Sequence, residues 1–279
     1  MQVRLAGTLL RHHREAARWT LKEAAAELGC DPSKISRIET SQRRPVPGDM
    51  LRLLAAYGVS EREQQAIAAL TRSARTGWWG QYRGLLPRAM VDHALLESAA
   101  DDVLVYDPQS LPAFLQTYRY AEALAAADPV LQTDEERRLA VLLAAGRAAA
   151  LRDRPETTFK VVLGEAALRQ QVGGNEAMLT QLGQIADGSE KSPVLATLQV
   201  VPFTAGTHPG TGTGPLSIMR FREVTGIGAI SRGWTDDGVS VAGQRELTAA
   251  VRRFEALTDV ALSPDRSRQL IRKVMHELR

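Results

Sequence analysis

Apolar residues recur at helical spacing through the first quarter of the chain. In residues 4–18, RLAGTLLRHHREAAR, Leu5, Leu9 and Ala16 share a face with Leu10 and Ala17 beside them, which predicts an amphipathic helix. His12 and His13 fall on its outer surface and are expected to face solvent. Leu21, Ala24, Ala25 and Leu28 then make the stripe of a second helix. Thr20 caps it, with Glu23 as capping-box partner, and Gly29 suits the left-handed position that ends it. After a tight turn Asp31 caps a third helix, and Pro32 takes the first helical position, where its missing N–H costs nothing. Ile35 and Ile38 are its buried stripe. Two short helices so closely joined leave the second projecting, with Ser33, Lys34, Ser36 and Arg37 outward and Ser41, Gln42, Arg43 and Arg44 just beyond. A fourth helix opens at Pro47–Gly48–Asp49, carries Met50, Leu53, Leu54 and Tyr57, and stops at Gly58; a fifth, capped by Ser60, buries Ile67 and Leu70.

From Thr76 the texture changes. Trp78 and Trp79 form a pair that offers either a stacking platform or, in the more ordinary use, a wedge between a linker and the next domain. A helix holding His93 to Ala100 leads into a strand-like VLVY. LPAFLQTYRYAEAL passes from an extended segment into a helix, and Asp134 to Arg152 is an Ala/Leu/Arg helix. TFKVVLG reads as a strand, followed by a helix from Glu165, a break at Gly173–Gly174 and another helix. PVLATLQVVPF and PLSIMRF read as buried-type strands. The Gly/Thr-rich loop between them lacks the Lys-Ser/Thr of a P-loop and precedes a strand, so a wide hairpin connection explains it as well as a phosphate site does. A third possible strand spans Gly226 to Trp234, Asp236–Asp237–Gly238 reads as a turn, and two helices close the chain at roughly Gln244–Thr258 and Pro264–Leu278, the last capped by Ser263. The pattern predicts an all-α N-terminal domain over residues 1–76 and a mixed α+β domain over 77–279, with a small sheet from the VVL, LQVVPF and SIMRF segments.

At 279 residues two domains are the better expectation, and 44% apolar with 24% charged residues is ordinary for a folded chain. Cys30 is the only cysteine, which excludes an internal disulfide and, with no signal-like start, points to a reducing cytosol. No apolar run approaches the roughly 20 residues of a membrane span. The five histidines are scattered, with no HExxH and no Cys–His pair, so neither a metal nor a cofactor is expected. The net charge of +3 hides an asymmetry: residues 1–76 carry +5 and the remainder −2. Lys34, Arg37, Arg43 and Arg44 cluster around one helix, where their side chains can donate to phosphates and base edges. Glu165, His208 and Asp236–Asp237 are the conspicuous polar residues elsewhere. Glu165 at a helix start reads as a macrodipole or capping carboxylate, and no nucleophile–base pair can be assembled, so no catalytic residue is named and an enzyme is not expected.

The N-terminal 75 residues resemble the helix-turn-helix domain of the Cro/Xre-type repressors, a lambda-repressor-like five-helix fold, on Ala25, Gly29, Ile35, Ser36, Ile38, Glu39 and the pattern PSKISRIE…RR. Leu21 stands where that family often has a phosphate-anchoring Gln, and Ala24 where it often has Leu. By that resemblance the third helix is the recognition helix, with Pro32, Ser33 and Arg37 nearest the base edges. The DNA-binding set is then Ser33, Lys34, Ser36, Arg37, Gln42, Arg43 and Arg44, with Arg37 on guanine and the Arg43–Arg44 pair on phosphates. Glu39 faces back as an intramolecular partner.

Residues 78 to about 275 resemble the uncharacterised C-terminal domain of WhiJ-like actinobacterial regulators, on GWW, LPAFLQTYRYAEAL, VLGEAALRQQVGG, MLTQL, LQVVPFTAGTHPG and RRFEALTDVAL. Ala113 and Phe114 replace the usual Gly and Leu, and the usual acidic residue after the strand near Gly228–Trp234 is missing. Together the two resemblances imply a cytoplasmic, nucleoid-associated transcription regulator that binds double-stranded DNA as a homodimer. Its C-terminal domain would answer to a small acidic partner protein, in an antitoxin-like arrangement, or to a metabolite. Competing readings are an antitoxin-like interaction module whose main task is holding that partner, and an enzymatic C-terminal domain. Metabolite sensing would need an apolar pocket of several hundred Å³, with the LQVVPF sheet as its expected roof.

Overall fold

The computed structural model describes residues 2–188, 197–233 and 239–279. Five helices open the chain: α1 (Gln2–Ala16), α2 (Leu21–Leu28), α3 (Pro32–Glu39), α4 (Pro47–Ala56) and α5 (Glu61–Thr76). Their ends fall where the sequence caps them. The Thr20 hydroxyl accepts from the Glu23 N–H while the Glu23 carboxylate accepts from the Thr20 N–H at 2.6 Å. Gly29 adopts φ 62°, a conformation that would strain any side chain. Asp31 accepts from the Ser33 N–H at 2.8 Å. Each such cap contributes about 1 kcal/mol. Leu5, Leu9, Leu10, Ala24, Ile35, Ile38, Leu53, Leu54 and Ile67 are buried together. Ala16, expected on the apolar face of α1, is exposed, because the helix ends there and turns away.

Beyond α5 come α6 (Arg88–Ala99), β1 (Asp102–Asp107), α7 (Tyr118–Ala127), α8 (Asp134–Arg152), β2 (Thr158–Gly164), the four-residue α9 (Ala166–Arg169), α10 (Gly174–Gly188), β3 (Gln199–Val201), β4 (Leu216–Arg220), β5 (Ile227–Ser231), β6 (Val239–Gly243), α11 (Gln244–Val260) and α12 (Pro264–Glu277). The described strands form a six-stranded sheet in the order β3-β2-β1-β4-β5-β6, with β3, β2 and β1 parallel and β4, β5 and β6 an antiparallel meander. A helical N-terminal region followed by a mixed α/β region is the architecture the sequence predicted. The sheet exceeds the three segments expected. VLVY is its central strand, the Gly226–Trp234 segment supplies β5, and β6 is an addition the sequence reading lacked. Trp234, the start of PVLATLQVVPF and the Asp236–Asp237–Gly238 turn lie outside the described residues.

Helices cover both faces. Leu104, Tyr106, Ile218 and Ile230 pack under α11 through Phe254 and Leu257, while Val103, Val105, Val161 and Met219 belong to the core on the opposite side. In keeping with that two-sided cover, β1, β4 and β5 are buried at nearly every position rather than on alternate ones. The loop between β3 and β4 is not a hairpin. β2 and β1 lie between those strands, and the loop crosses the sheet with Gly210 against the Tyr106 ring. Trp78 lies over Gly146 of α8, so the Trp pair wedges the segment after α5 onto the next helices.

The helical region rests on the turn between β4 and β5. Arg62 donates to Glu223 at 2.6 Å, and Glu63 accepts from the Thr225 N–H at 2.6 Å. The His12 ring lies against Gly226, and His13 approaches Glu63 at 3.7 Å. His13 is therefore buried and His12 partly covered, contrary to the exposed surface expected of both. Exposure on a lone helix did not anticipate a second region docking there.

A second histidine, His93 of α6, is buried beside the Glu97–Arg147 ion pair. Burial pushes both imidazoles below their usual value, against the pull of Glu63 on His13 and of Glu97 on His93. An unfolded histidine titrates at about pH 6.5, so on acidification the unfolded chain takes up protons that the folded chain refuses, and stability falls as pH drops through that value. Asp107, raised by burial, works in the opposite sense. Urea unfolding of the full chain should show a lower midpoint at about pH 5.5 than at about pH 7.5. The double variant His13→Gln/His93→Gln should flatten the difference, and an undiminished dependence in it would place the effect elsewhere.

Candidate nucleic-acid interface

The projecting helix is held by one buried ion pair. Arg14 near the end of α1 donates through Nε and Nη2 to both oxygens of Glu39, the last residue of α3, at 2.7 and 2.8 Å. Its remaining Nη1 donates to the Trp19 carbonyl at 2.8 Å, so one guanidinium ties α1, the turn before α2 and the foot of α3. Both partners are under 10% exposed. The Tyr57 hydroxyl is pushed up by burial and then by the neighbouring Glu39 carboxylate. The inward-facing role expected of Glu39 is what the geometry shows. α1 also approaches α3 closely enough that a Cβ added at Gly7 would strike the Ile38 carbonyl.

Above that anchor the expected DNA-facing residues separate into two groups. Ser33 and Arg37 are exposed and one turn apart, and Arg37 folds back to donate to the Ser33 carbonyl and hydroxyl at 3.2 and 3.3 Å. The backbone N–H groups of Gln42 and Arg43 both donate to the Arg37 carbonyl, at 2.8 and 2.9 Å. Ser41 at φ 65° makes the turn that brings them there. Gln42, Arg43 and Arg44 are exposed. Ser33 at the start of α3 is thus linked through Arg37 to Gln42 and Arg43 beyond its other end, along one exposed side of the helix. Lys34 is diverted instead. Its Nζ is 2.9 Å from Asp49 in the first turn of α4, which neutralises part of its charge. Ser36 is half-buried and its carbonyl accepts from Thr40. Leu21, at the position of the missing Gln, packs against the core.

Charge follows the same division. Arg14, Lys34, Arg52 and Arg62 pair with Glu39, Asp49, Glu27 and Glu223, whereas Arg37 and Arg43 form no ion pair with any described carboxylate. Two exposed guanidinium groups at a helix end with no described carboxylate within ion-pair distance suit an anionic surface. Among the described residues no His/Cys/Asp/Glu cluster could hold a metal ion, and no helix is long and apolar enough to cross a membrane. Glu165 does not cap its helix. One oxygen pairs with Arg169 at 2.7 Å and the other accepts from the Phe203 N–H at 2.8 Å, which fastens the start of the crossing loop to β2.

The α2–turn–α3 geometry is that of a helix-turn-helix, and residues 5–67 match a helix-turn-helix domain model, which points to DNA binding and transcription regulation. Residues 90–273 match the domain of unknown function DUF5753, and the chain belongs to that family. No curated protein and no solved structure matches it.

Removing Glu39 leaves the Arg14 guanidinium buried without its counter-charge. Glu39→Ala should cost roughly 3–5 kcal/mol, whereas the apolar pair Arg14→Met/Glu39→Leu should recover most of it. Urea titration checks both. A single-variant cost below about 1 kcal/mol would show that the pair does not anchor α3.

Proposed function

We propose that the chain is a sequence-specific transcription regulator of the Cro/Xre type, working in the cytoplasm at the nucleoid, that binds an operator as a homodimer through α3. The observation that carries this reading is the outer side of α3 and the turn after it, where Ser33, Arg37, Gln42 and Arg43 are exposed and the two guanidinium groups form no ion pair with a described carboxylate. Two copies would place their recognition helices in successive major grooves about 34 Å apart, on a pseudo-palindromic site. Arg37 is the base-reading residue, since a guanidinium forks onto guanine O6 and N7. Arg43 and Arg44 hold phosphates. Lys34 joins them only by exchanging Asp49 for DNA, and its contribution is correspondingly small.

The DUF5753 region is the receiving part, read here as a WhiJ-like regulatory domain. Its grip on α1 and α5 at the β4–β5 turn gives a signal bound there a physical route to the helix-turn-helix. That signal is a small molecule or a small acidic partner protein in an antitoxin-like arrangement. The cavity in this domain favours the small molecule. It also contains Asp107, whose raised proton affinity would suit a general acid. The Asp107 carboxylate is held by its own turn, accepting from the Gln109 and Ser110 N–H groups and the Ser110 hydroxyl at 2.7–3.0 Å, and a fixed acceptor fits a binding role better than catalysis.

Arg37→Ala should lose discrimination at one base pair per half-site, worth roughly 1–3 kcal/mol, while Arg43→Ala should weaken all sequences alike and flatten the salt dependence. Fluorescence anisotropy on operator variants, with DNA first selected from a random pool by the full chain, reads both. An unchanged ranking of variants in Arg37→Ala would remove that residue from base recognition.

A further inference from the structure

DNA binding makes no use of the space between the sheet and the α7–α8 pair. Val105 of β1 stands opposite Ser217 of β4, and Ser217 opposite Ser231 of β5, so one row of side chains crosses three strands at the same level. Side chains two apart on a strand share a face, which puts Asp107 on the same side of β1 as Val105. Over this row α7, α8 and the segment from Leu111 to Phe114 leave a cavity of about 140 Å³. Leu111, Phe114, Leu124, Leu131 and Leu143 form its apolar walls. It lies against β1, β4 and β5 rather than under the LQVVPF strand, and is smaller than the several hundred Å³ expected of a metabolite pocket.

Size, charge and hydrogen bonding each narrow what would enter. An apolar protein cavity of roughly 150 Å³ holds a molecule the size of benzene. The cation in the wall, Arg147, gives Nε and Nη2 to the two oxygens of Glu97 at 2.7 and 2.6 Å, and both side chains are buried. That pair is electrically closed, and burial lowers the proton affinity of His93, the other basic group of the wall, so an anionic ligand meets no available counter-charge. A carboxylate has about four lone-pair sites, and Asp107 fills both on Oδ1 but uses Oδ2 for the Ser110 hydroxyl alone. Ser217 and Ser231 add two buried hydroxyl groups on the strand side.

We propose that this cavity is a binding site for a neutral, ring-sized apolar molecule bearing one hydrogen-bond donor, with the ring among Leu111, Phe114, Leu124 and Leu143 and the donor toward Asp107. Simple aromatic or alicyclic alcohols are the chemical class. Ser231 of the cavity ends β5, and Gly226, against the His12 ring of α1, immediately precedes that strand. A ligand pressing on Ser231 is one short strand away from the helix-turn-helix. This link, unlike the site itself, rests on the regulatory reading above.

Fluorine NMR of the full chain with three probes tests the site. 4-Fluorophenol should bind saturably, 4-fluorotoluene at least tenfold more weakly, and 4-fluorobenzoate without measurable affinity. Ala144→Leu, which fills the cavity from α8, should abolish 4-fluorophenol binding. Asp107→Asn covers the case in which that variant does not fold, and should shrink the preference for the phenol over the toluene. Absence of saturable 4-fluorophenol binding, equal binding by folded Ala144→Leu, an unchanged preference in Asp107→Asn, or tighter binding of the benzoate would overturn the proposal. Anisotropy with selected DNA and no probe reads DNA binding separately, so failure of the regulatory reading is told apart from failure of the site.

Discussion

The Arg14 guanidinium, closed on Glu39 inside the helical region, determines where the foot of α3 can lie. A short helix of eight residues has little stability of its own, since nucleation is unfavourable and few backbone bonds follow. Its orientation must come from packing and from this pair. Ile35 and Ile38 supply the apolar contact, and the bidentate geometry adds direction that apolar contact lacks. Because Glu39 consumes Arg14, and Asp49 consumes Lys34, the positive charge left toward solvent around α3 is concentrated at Arg37 and Arg43. The same pairing that builds the fold therefore shapes the surface offered to a polyanion.

Two kinds of information in the sequence had different fates. Capping boxes, a proline at a first helical position and a glycine at a helix end act over three or four residues, and at Thr20, Asp31 and Gly29 they mark boundaries that the structure keeps. The seven DNA-facing candidates come from one short stretch of sequence, but the diversion of Lys34 to Asp49 was not legible there, because the partner is 15 residues away on another helix. Sheet order was largely illegible. β1 is flanked by charged residues and followed by two helices, and its place at the centre depends on pairing with β2 and β4 more than 50 residues downstream. β6 is short and rich in small residues, with no local signal strong enough to announce it. The buried His13 shows the same limit, since its cover comes from α5 and the β4–β5 turn rather than from its neighbours in sequence.

The two regions share more than a linker. Their buried apolar residues form one continuous cluster running from Leu5 through Trp79 to Val103 and Met219. Glu223 and the Thr225 N–H hold α5 on one side of the β4–β5 turn, and Gly226 receives His12 on the other. From that turn β5 leads to Ser231 at the cavity wall. Small displacements of a packed strand are transmitted rather than absorbed, because protein interiors are close-packed. This continuity gives the DUF5753 domain a mechanical hold on the helix-turn-helix that a flexible tether would lack.

The placement of α3 in a major groove is tested most directly by chemical probing of guanine N7. Duplexes selected from random sequence by the full chain would be treated with dimethyl sulfate in the presence and absence of protein. Recognition by paired α3 helices predicts guanines protected at N7 in two patches whose centres are about 10 base pairs apart, on one face of the duplex. Recovery of no common sequence, or bound DNA whose guanine N7 atoms stay fully reactive, would contradict the assignment of α3 as the reading element.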